Sequence, residues 1–375
     1  MKFSEIVGNQ ELARQIAQII DEGRLGHAIL LDEMPGGGAL AFALAIAQYI
    51  NCKNRSNFDS CGSCPSCLKI QKSIHPDIHF AFPVNTSSKV SKSDKNPVSD
   101  LFLPIWREMI AKSPYFTESQ LYNEIGIDNK SGNISAYEAK QIINKLVLHP
   151  YEASHKVMII WMAERMNLVA ANKLLKLLEE PSPDTIFILI SNNPDKLLPT
   201  IISRCRAIKI PPMDISQLAK ILEDKTSSKD RAAICAKLSG GSYGKALQLI
   251  DYQEESAESE ELIISIIEAG LRKNFEEMYP LWNKLADLKK EKQKEFCIKS
   301  EEVLRRLLMI KNGLNDIAFI EEESLERFTT LASKIKDDFF PKAVAALDKT
   351  LSAIESNVNS KLTFCDLCNR FLLYL

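Results

Sequence analysis

A glycine-rich turn between two apolar segments has the residue types of a phosphate site. The apolar run from Ala28 to Leu31 leads to three glycines, Gly36, Gly37 and Gly38, and then to a long apolar segment from Ala39 to Ile50. This order predicts a strand, a loop and a helix, which is the setting of the phosphate-binding P-loop G-x-x-x-x-G-K-[ST]. The chemistry that such a loop performs is the binding of a nucleotide through its phosphates.

The loop lacks the side chains with which a P-loop handles a nucleotide. Gly38 fills the second glycine position, but Glu33 replaces the first glycine, Ala39 the lysine and Leu40 the hydroxyl residue. The lysine of the motif reaches the β- and γ-phosphates, and the hydroxyl binds Mg²⁺. An acid without a cation disfavours a triphosphate, so we predict a degenerate loop with no productive ATP binding. A glycine turn that never bound nucleotide is the alternative for the loop taken alone.

The site at which an ATPase binds Mg²⁺ and orients water also lacks its acidic residues. The run from Lys156 to Ile160 is short and mainly apolar, as in a buried parallel strand. At the end of such a strand an ATPase carries an aspartate for Mg²⁺ and often a glutamate that orients the attacking water. Here the residues are Trp161 and Met162. Because two sites that act together are both lost, the sequence predicts an ATPase fold without ATPase activity.

Four cysteines have the spacing of a metal site. They follow the pattern C-x8-C-x2-C-x2-C and are Cys52, Cys61, Cys64 and Cys67. Two C-x2-C steps let neighbouring sulfurs converge on one ion, and four thiolates suit tetrahedral Zn²⁺. No histidine or acidic general base accompanies them, so the predicted zinc is structural. A set of buried or disulfide-linked cysteines is the alternative.

The stretch 166–206 carries a pattern that points to a family. Asn172 to Pro181 reads N-x-L-L-K-x-L-E-E-P, an apolar strand follows from Thr185 to Ser191, and the triplet Ser203-Arg204-Cys205 comes next. With the opening segment Phe3 to Gln10, this pattern resembles the subunits of the bacterial DNA polymerase III clamp loader, an AAA+ family. Many residues match the family pattern from residue 1 to about 212, and few match it afterwards. The four-cysteine module recurs in the same family.

The resemblance also implies a role. ATP-hydrolysing members keep an arginine in a later G-S-x-R-D-A segment, where this chain has Gly244. The chain is therefore similar to a non-catalytic subunit that helps to load the sliding clamp onto primed DNA during replication. In that role Arg204, with Ser203 and Cys205 of its motif, is an arginine finger that acts in trans on a neighbour's ATP site. A guanidinium is permanently charged and forked, as such a finger requires. A surface or salt-bridged arginine is the alternative.

The partners implied by the resemblance are the ATPase subunits (gamma/tau) and the delta subunit. The sliding clamp and primed DNA would be reached through the complex, and any DNA polymerase activity would belong to the assembly. Two other functions remain as alternatives: an ATP-hydrolysing subunit of the gamma/tau type, and a zinc-dependent DNA-binding module. The net charge of −2 gives little support to the second, because binding of DNA backbone is driven by phosphate neutralisation.

Composition predicts a cytoplasmic protein with no membrane partner. The chain has 375 residues, 45% hydrophobic and 26% charged, which is ordinary for globular domains. Its first residues form no apolar signal segment, and Ala39 to Ile50 is too short to span a membrane. Nine cysteines, four of them grouped as thiolate ligands, fit a reducing compartment.

Strands and helices alternate through residues 1–212, which predicts an α/β domain with a parallel sheet flanked by helices and with the zinc module at 52–67. The resemblance implies that this sheet is RecA-like, as in AAA+ proteins. Residues 84–134 interrupt this alternation as an insertion, with a mobile loop expected over Thr86 to Ser99. A helical lid is expected at 213–255, and an all-helical domain at 256–375, which in the resembled family is the collar. Asp251 to Glu261 is expected to be an acidic linker.

Overall fold

A computed structural model describes residues 1–87, 89, 96–127, 131–147, 149–226, 228–288, 290–320, 322–356 and 358–375. The chain divides into two compact units. The first comprises Met1–Ile221 with Ala236–Leu247, and the second comprises Leu222–Cys235 with Gln248–Leu375. The three-domain division at residues 212 and 255 stays a prediction, and the loop expected over Thr86 to Ser99 lies partly outside the described residues.

The first unit is built on a five-stranded sheet. In chain order the strands are β1 (Ala28–Asp32), β2 (Ile78–Ala81), β3 (Lys156–Trp161), β4 (Thr185–Ser191) and β5 (Arg206–Lys209). Their order across the sheet is β2-β3-β4-β1-β5, and every pair is parallel. Parallel strands need helical crossovers that cover both faces of the sheet, and these strands are accordingly apolar and buried, β5 at the edge excepted.

Eight helices precede or connect these strands in the described part of the first unit: α1 (Gln10–Asp21), α2 (Ala39–Ile50), α3 (Pro65–Gln71), α4 (Leu103–Lys112), α5 (Glu118–Ile125), α6 (Ala136–Leu146), α7 (Leu168–Glu179) and α8 (Pro199–Ile202). All residues of α2 are buried, because this helix contacts β3 and β4. Helices α6 and α7 share a core with the other face of the sheet through residues such as Leu30 and Ile160. The predicted parallel sheet flanked by helices is confirmed.

The insertion packs on the sheet through aromatic rings. Trp106 of α4 is fully buried and stacks on Phe82, with ring centroids 4.1 Å apart and an interplanar angle of 9°. It also meets Trp161 at the end of β3 and Phe116 after α4, at 5.6 and 5.2 Å. The two ends of the insertion come together where Val84 and Asn133 pair. The insertion is therefore part of the core of the first unit.

The remaining helices are α9 (Ile215–Glu223), α10 (Lys229–Ser239), α11 (Tyr243–Leu271), α12 (Phe275–Ala286), α13 (Lys290–Lys311), α14 (Asn315–Ala318), α15 (Glu322–Lys334), α16 (Phe339–Glu355) and α17 (Ser360–Tyr374). The second unit is helical and has its own apolar core. The linker predicted over Asp251 to Glu261 is wrong: the backbone there continues α11, since glutamate and alanine are good helix formers. Within the described residues, no helix has the length and apolarity needed to cross a membrane.

Candidate functional site

The glycine loop follows β1 and ends where α2 begins. Gly38 caps α2 with φ 107° and Gly36 has φ 75°, values that a residue with a side chain rarely adopts. Space is also restricted, because a Cβ on Gly38 would lie 2.8 Å from Cε1 of Tyr115. The hydroxyl of Tyr115 accepts the N–H of Val7 at 2.8 Å. The ring of an insertion residue therefore lies against the loop.

The carboxylate of Glu33 occupies the start of α2. Its Oε2 accepts the N–H of Ala39 at 2.7 Å, and the side chain is buried. Burial raises the pKa of Glu33 to about 8, while amide hydrogen bonds from Ala39, Gly38 and Gly37 oppose that rise. The N–H of Gly37 donates to the carbonyl of Met34 at 2.9 Å. A P-loop uses such amides at the helix N-terminus to bind phosphate, and here the chain's own oxygens bind them.

The segment after α10 closes on the same loop. Ser242 Oγ donates to the carbonyl of Pro35 at 2.8 Å, and the N–H of Gly244 donates to the carbonyl of Gly36 at 3.0 Å. A Cβ on Gly244 would stand 1.8 Å from the carbonyl oxygen of Tyr115. The position at which ATP-hydrolysing members of the resembled family carry an arginine therefore has no room for any side chain.

The end of β3 presents an aromatic ring where an ATPase has its acid. Trp161 packs into the aromatic cluster of the insertion. A carboxylate that sequence reasoning missed, Glu164, comes three residues later and accepts the N–H of Asn192 through Oε1 at 3.0 Å. Asn192 Nδ2 donates to Met162 Sδ at 3.0 Å. Glu164 also raises the pKa of Glu33 by charge repulsion. The sequence feature that could have identified Glu164 is its position shortly after the apolar run of β3.

The four predicted cysteines lie together. The Sγ atoms of Cys52, Cys61, Cys64 and Cys67 all lie within 4.8 Å of one another, and none is in a disulfide. Tetrahedral Zn²⁺ with Zn–S bonds of about 2.3 Å requires sulfurs about 3.8 Å apart, and Cys61 and Cys67 are separated by 4.0 Å. The cluster could hold a metal ion.

Backbone amides favour the thiolate form in this cluster. Cys61 Sγ accepts the N–H of Cys64 at 3.4 Å, and Cys52 Sγ accepts the N–H of Cys61 at 3.2 Å. Hydrogen bonds from the amides of Ser63 and Cys64 lower the pKa of Cys61 to about 6. Burial raises the pKa of Cys52 and of Cys67, so these amides offset only part of the cost of forming the thiolates that bind metals. The four sulfur donors and their separations fit the predicted ion.

Arg204 lies at the opposite end of the sheet from the glycine loop. It precedes β5, whose first residue, Arg206, pairs with Ile29 near the start of β1. The loop leaves the other end of β1, after Asp32. At about 3.3 Å per residue, β1 separates the two ends by roughly 15 Å. Arg204 is therefore remote from the glycine loop of its own chain.

The surroundings of Arg204 form a shallow surface hollow with His27, Leu178, Glu179 and Ser203. Arg204 Nη2 lies 2.5 Å from Glu179 Oε1, and Nη1 donates to the carbonyl of Thr200 at 2.8 Å. The side chain keeps 34% of its surface exposed. Arg206, two residues on, donates through Nη1 to the carbonyl of Arg24 at 2.5 Å.

Comparison with known proteins points to one family. A family model described as "DNA polymerase III, delta subunit" matches residues 8–214. The chain is 28% identical over 251 residues to the DNA polymerase III subunit delta' of Bacillus subtilis, covering 66% of this chain and 61% of that protein. It is 28% identical over 228 residues to the delta' subunit of Escherichia coli, covering 60% and 55%.

A third relative belongs to another subunit type. The chain is 24% identical over 255 residues to DNA polymerase III subunit gamma/tau of Mycobacterium tuberculosis, covering 66% of this chain and 36% of that protein. The matches to the delta' relatives span less than two thirds of those proteins. The similarity therefore lies chiefly in the part of the chain that carries the sheet, the glycine loop, the cysteines and Arg204.

Proposed function

The chain belongs to the DNA polymerase III delta subunit family, and we propose that it is a non-catalytic clamp-loader subunit with an AAA+ fold. It acts with the ATPase subunits (gamma/tau) and the delta subunit to load the sliding clamp onto primed DNA. The observation that carries this proposal is a P-loop-like turn in which Glu33 and Tyr115 occupy the space where a nucleotide would bind. The same chain retains Arg204.

The filled loop supports the absence of productive ATP binding. A triphosphate at the start of α2 would have to displace the carboxylate of Glu33 and the ring of Tyr115. It would find no cation at position 39, and it would lie near Glu164 and beside the buried acid Glu33, whose raised pKa of about 8 leaves it without a positive charge to offer. Replacement of one residue would not restore the site. This electrostatic argument separates the chain from the ATP-hydrolysing gamma/tau type, which remains the alternative.

The position of Arg204 supports a finger that acts in trans. Because roughly 15 Å of strand separates Arg204 from the glycine loop, any nucleotide that it contacts is bound by another subunit. A guanidinium that is one third exposed can reach across an interface. An arginine finger stabilises the charge that develops on the transferred phosphoryl group.

The cysteine cluster supports a structural zinc. The four thiols leave no open coordination position for a substrate or water, which is the arrangement of structural rather than catalytic zinc sites. The ion would tie the turn at residues 52–64 to the start of α3, since Cys64 caps that helix and Cys67 lies within it. We assign the zinc no part in the ATP chemistry.

Reconstitution tests the proposed function. The isolated chain should neither hydrolyse ATP nor bind it at micromolar concentration. A clamp loader assembled from its ATPase and delta subunits should load clamps onto primed DNA efficiently only when this chain is present. Mg²⁺-dependent ATP turnover by the pure chain, or full loading by a complex that lacks it, would contradict the proposal.

A further inference from the structure

Both terminal nitrogens of Arg204 are engaged inside the chain. Nη2 pairs with Glu179 Oε1 at 2.5 Å, and Nη1 donates to the carbonyl of Thr200 at 2.8 Å. A finger must direct N–H groups at phosphoryl oxygens. The guanidinium therefore has to give up or share the carboxylate of Glu179 when it reaches a neighbour's nucleotide.

Glu179 is placed where a carboxylate needs a cation. It is the last residue of α7, and the helix macrodipole disfavours negative charge at a C-terminus. Arg204 compensates that unfavourable position. Because both side chains are partly exposed, at 48% and 34%, their attraction is weak and is screened by solvent.

We propose that Glu179 is the resting partner of the finger, a positioning residue that holds Arg204 against α7 until a neighbouring subunit binds ATP. This inference rests on the proposed role of Arg204 as a finger. A triphosphate carries more negative charge than one carboxylate, so it attracts the guanidinium more strongly. An exposed ion pair shifts an equilibrium by only about 1.5- to 5-fold, so a stronger negative charge replaces Glu179 at little cost. Arg204 therefore contacts the nucleotide when the neighbouring subunit has bound ATP. It stays paired with Glu179 when the neighbour's ATP site is empty.

The experiment measures clamp loading by the reconstituted complex against ATP concentration. In Glu179→Gln the carboxylate is replaced by a neutral side chain of the same shape. The half-saturating ATP concentration should fall by about 1.5- to 5-fold, with no loss of rate at saturating ATP. Glu179→Asp, which keeps the charge on a shorter side chain, should lie between Glu179→Gln and the wild type. Glu180→Gln removes the same charge one residue on, outside the ion pair, and should leave the curve unchanged.

A double variant separates this inference from the proposed function. In the Arg204→Ala background, Glu179→Gln should have no further effect, because the group that it restrains is gone. If Arg204→Ala alone leaves loading unchanged, the finger itself is refuted. If Arg204→Ala impairs loading but Glu179→Gln does not lower the half-saturating ATP concentration, the resting-partner role is refuted. A shift that persists without Arg204 would also overturn it.

Discussion

The buried carboxyl group of Glu33 should make the stability of the first unit depend on pH. Its pKa is raised from 4.5 to about 8, chiefly because the group is buried. Between these values the folded chain holds a proton that the unfolded chain has lost, so the free energy of unfolding should fall as pH rises. The slope approaches about 1.4 kcal/mol per pH unit for one proton. From pH 5.5 to 7.5 this amounts to roughly 2–3 kcal/mol.

Glu33→Gln tests this expectation because the amide has the same shape and does not titrate in this range. We would measure urea unfolding of both proteins at several pH values by tryptophan fluorescence. Trp282→Phe in both would leave Trp106 and Trp161, the two tryptophans of the first unit, as the reporters. All other ionisable groups are shared by the two proteins, so the difference between the two curves isolates residue 33.

The wild type should lose stability relative to Glu33→Gln as pH rises, and the difference should level off above about pH 8. Glu180→Gln, a change of an exposed carboxylate, should run parallel to the wild type. If the curves of the wild type and Glu33→Gln were parallel from pH 5.5 to 7.5, the carboxyl group would be ionised throughout. The picture of a buried acid that fills the loop by losing its charge would then be wrong.

Two further predictions concern the closed loop and the cysteines. Gly244→Ala should lower the free energy of unfolding of the first unit by about 1–3 kcal/mol or more, because its Cβ would stand 1.8 Å from the carbonyl oxygen of Tyr115; unchanged urea denaturation would contradict that contact. The purified chain should carry one Zn²⁺, and Cys61→Ser with Cys64→Ser should lose it and weaken the fold over residues 50–75. Metal analysis that finds no zinc, with four freely titrating thiols, would refute the site.

Local sequence patterns were sufficient for the elements around the loop. Apolar runs predicted β1, β3 and β4 within a residue of their observed ends, and α2 has the bounds of the apolar segment Ala39 to Ile50. These segments are buried on both faces, so almost every residue carries the signal. The cysteine spacing likewise predicted the group that the structure brings together, because short loops leave its members little freedom to separate.

Contacts between distant segments were not predictable. Nothing in the insertion indicates that Tyr115 lies against Gly38, since that contact depends on how α4 and its aromatic neighbours pack. The sequence placed an acid at position 33 but could not say that its carboxylate turns onto the N–H of Ala39. The acidic run around residue 255 suggested a linker, whereas its helix propensity prevailed. A run of charged residues indicates exposure to solvent. It does not determine whether the backbone is helical or irregular, which depends on helix propensity.

Arg204→Ala in the reconstituted clamp loader tests the central claim most directly. Assembly should remain nearly intact and total ATPase should fall only in part, because in the proposed complex one ATP site among several would borrow this residue. Loading onto primed DNA should fall further, since removal of a finger costs on the order of 10³-fold at the site that it serves. Arg204→Lys should rescue poorly because an ammonium lacks the planar fork, and Arg206→Ala should be much milder. Loading by the Arg204→Ala complex at the wild-type rate would contradict the account.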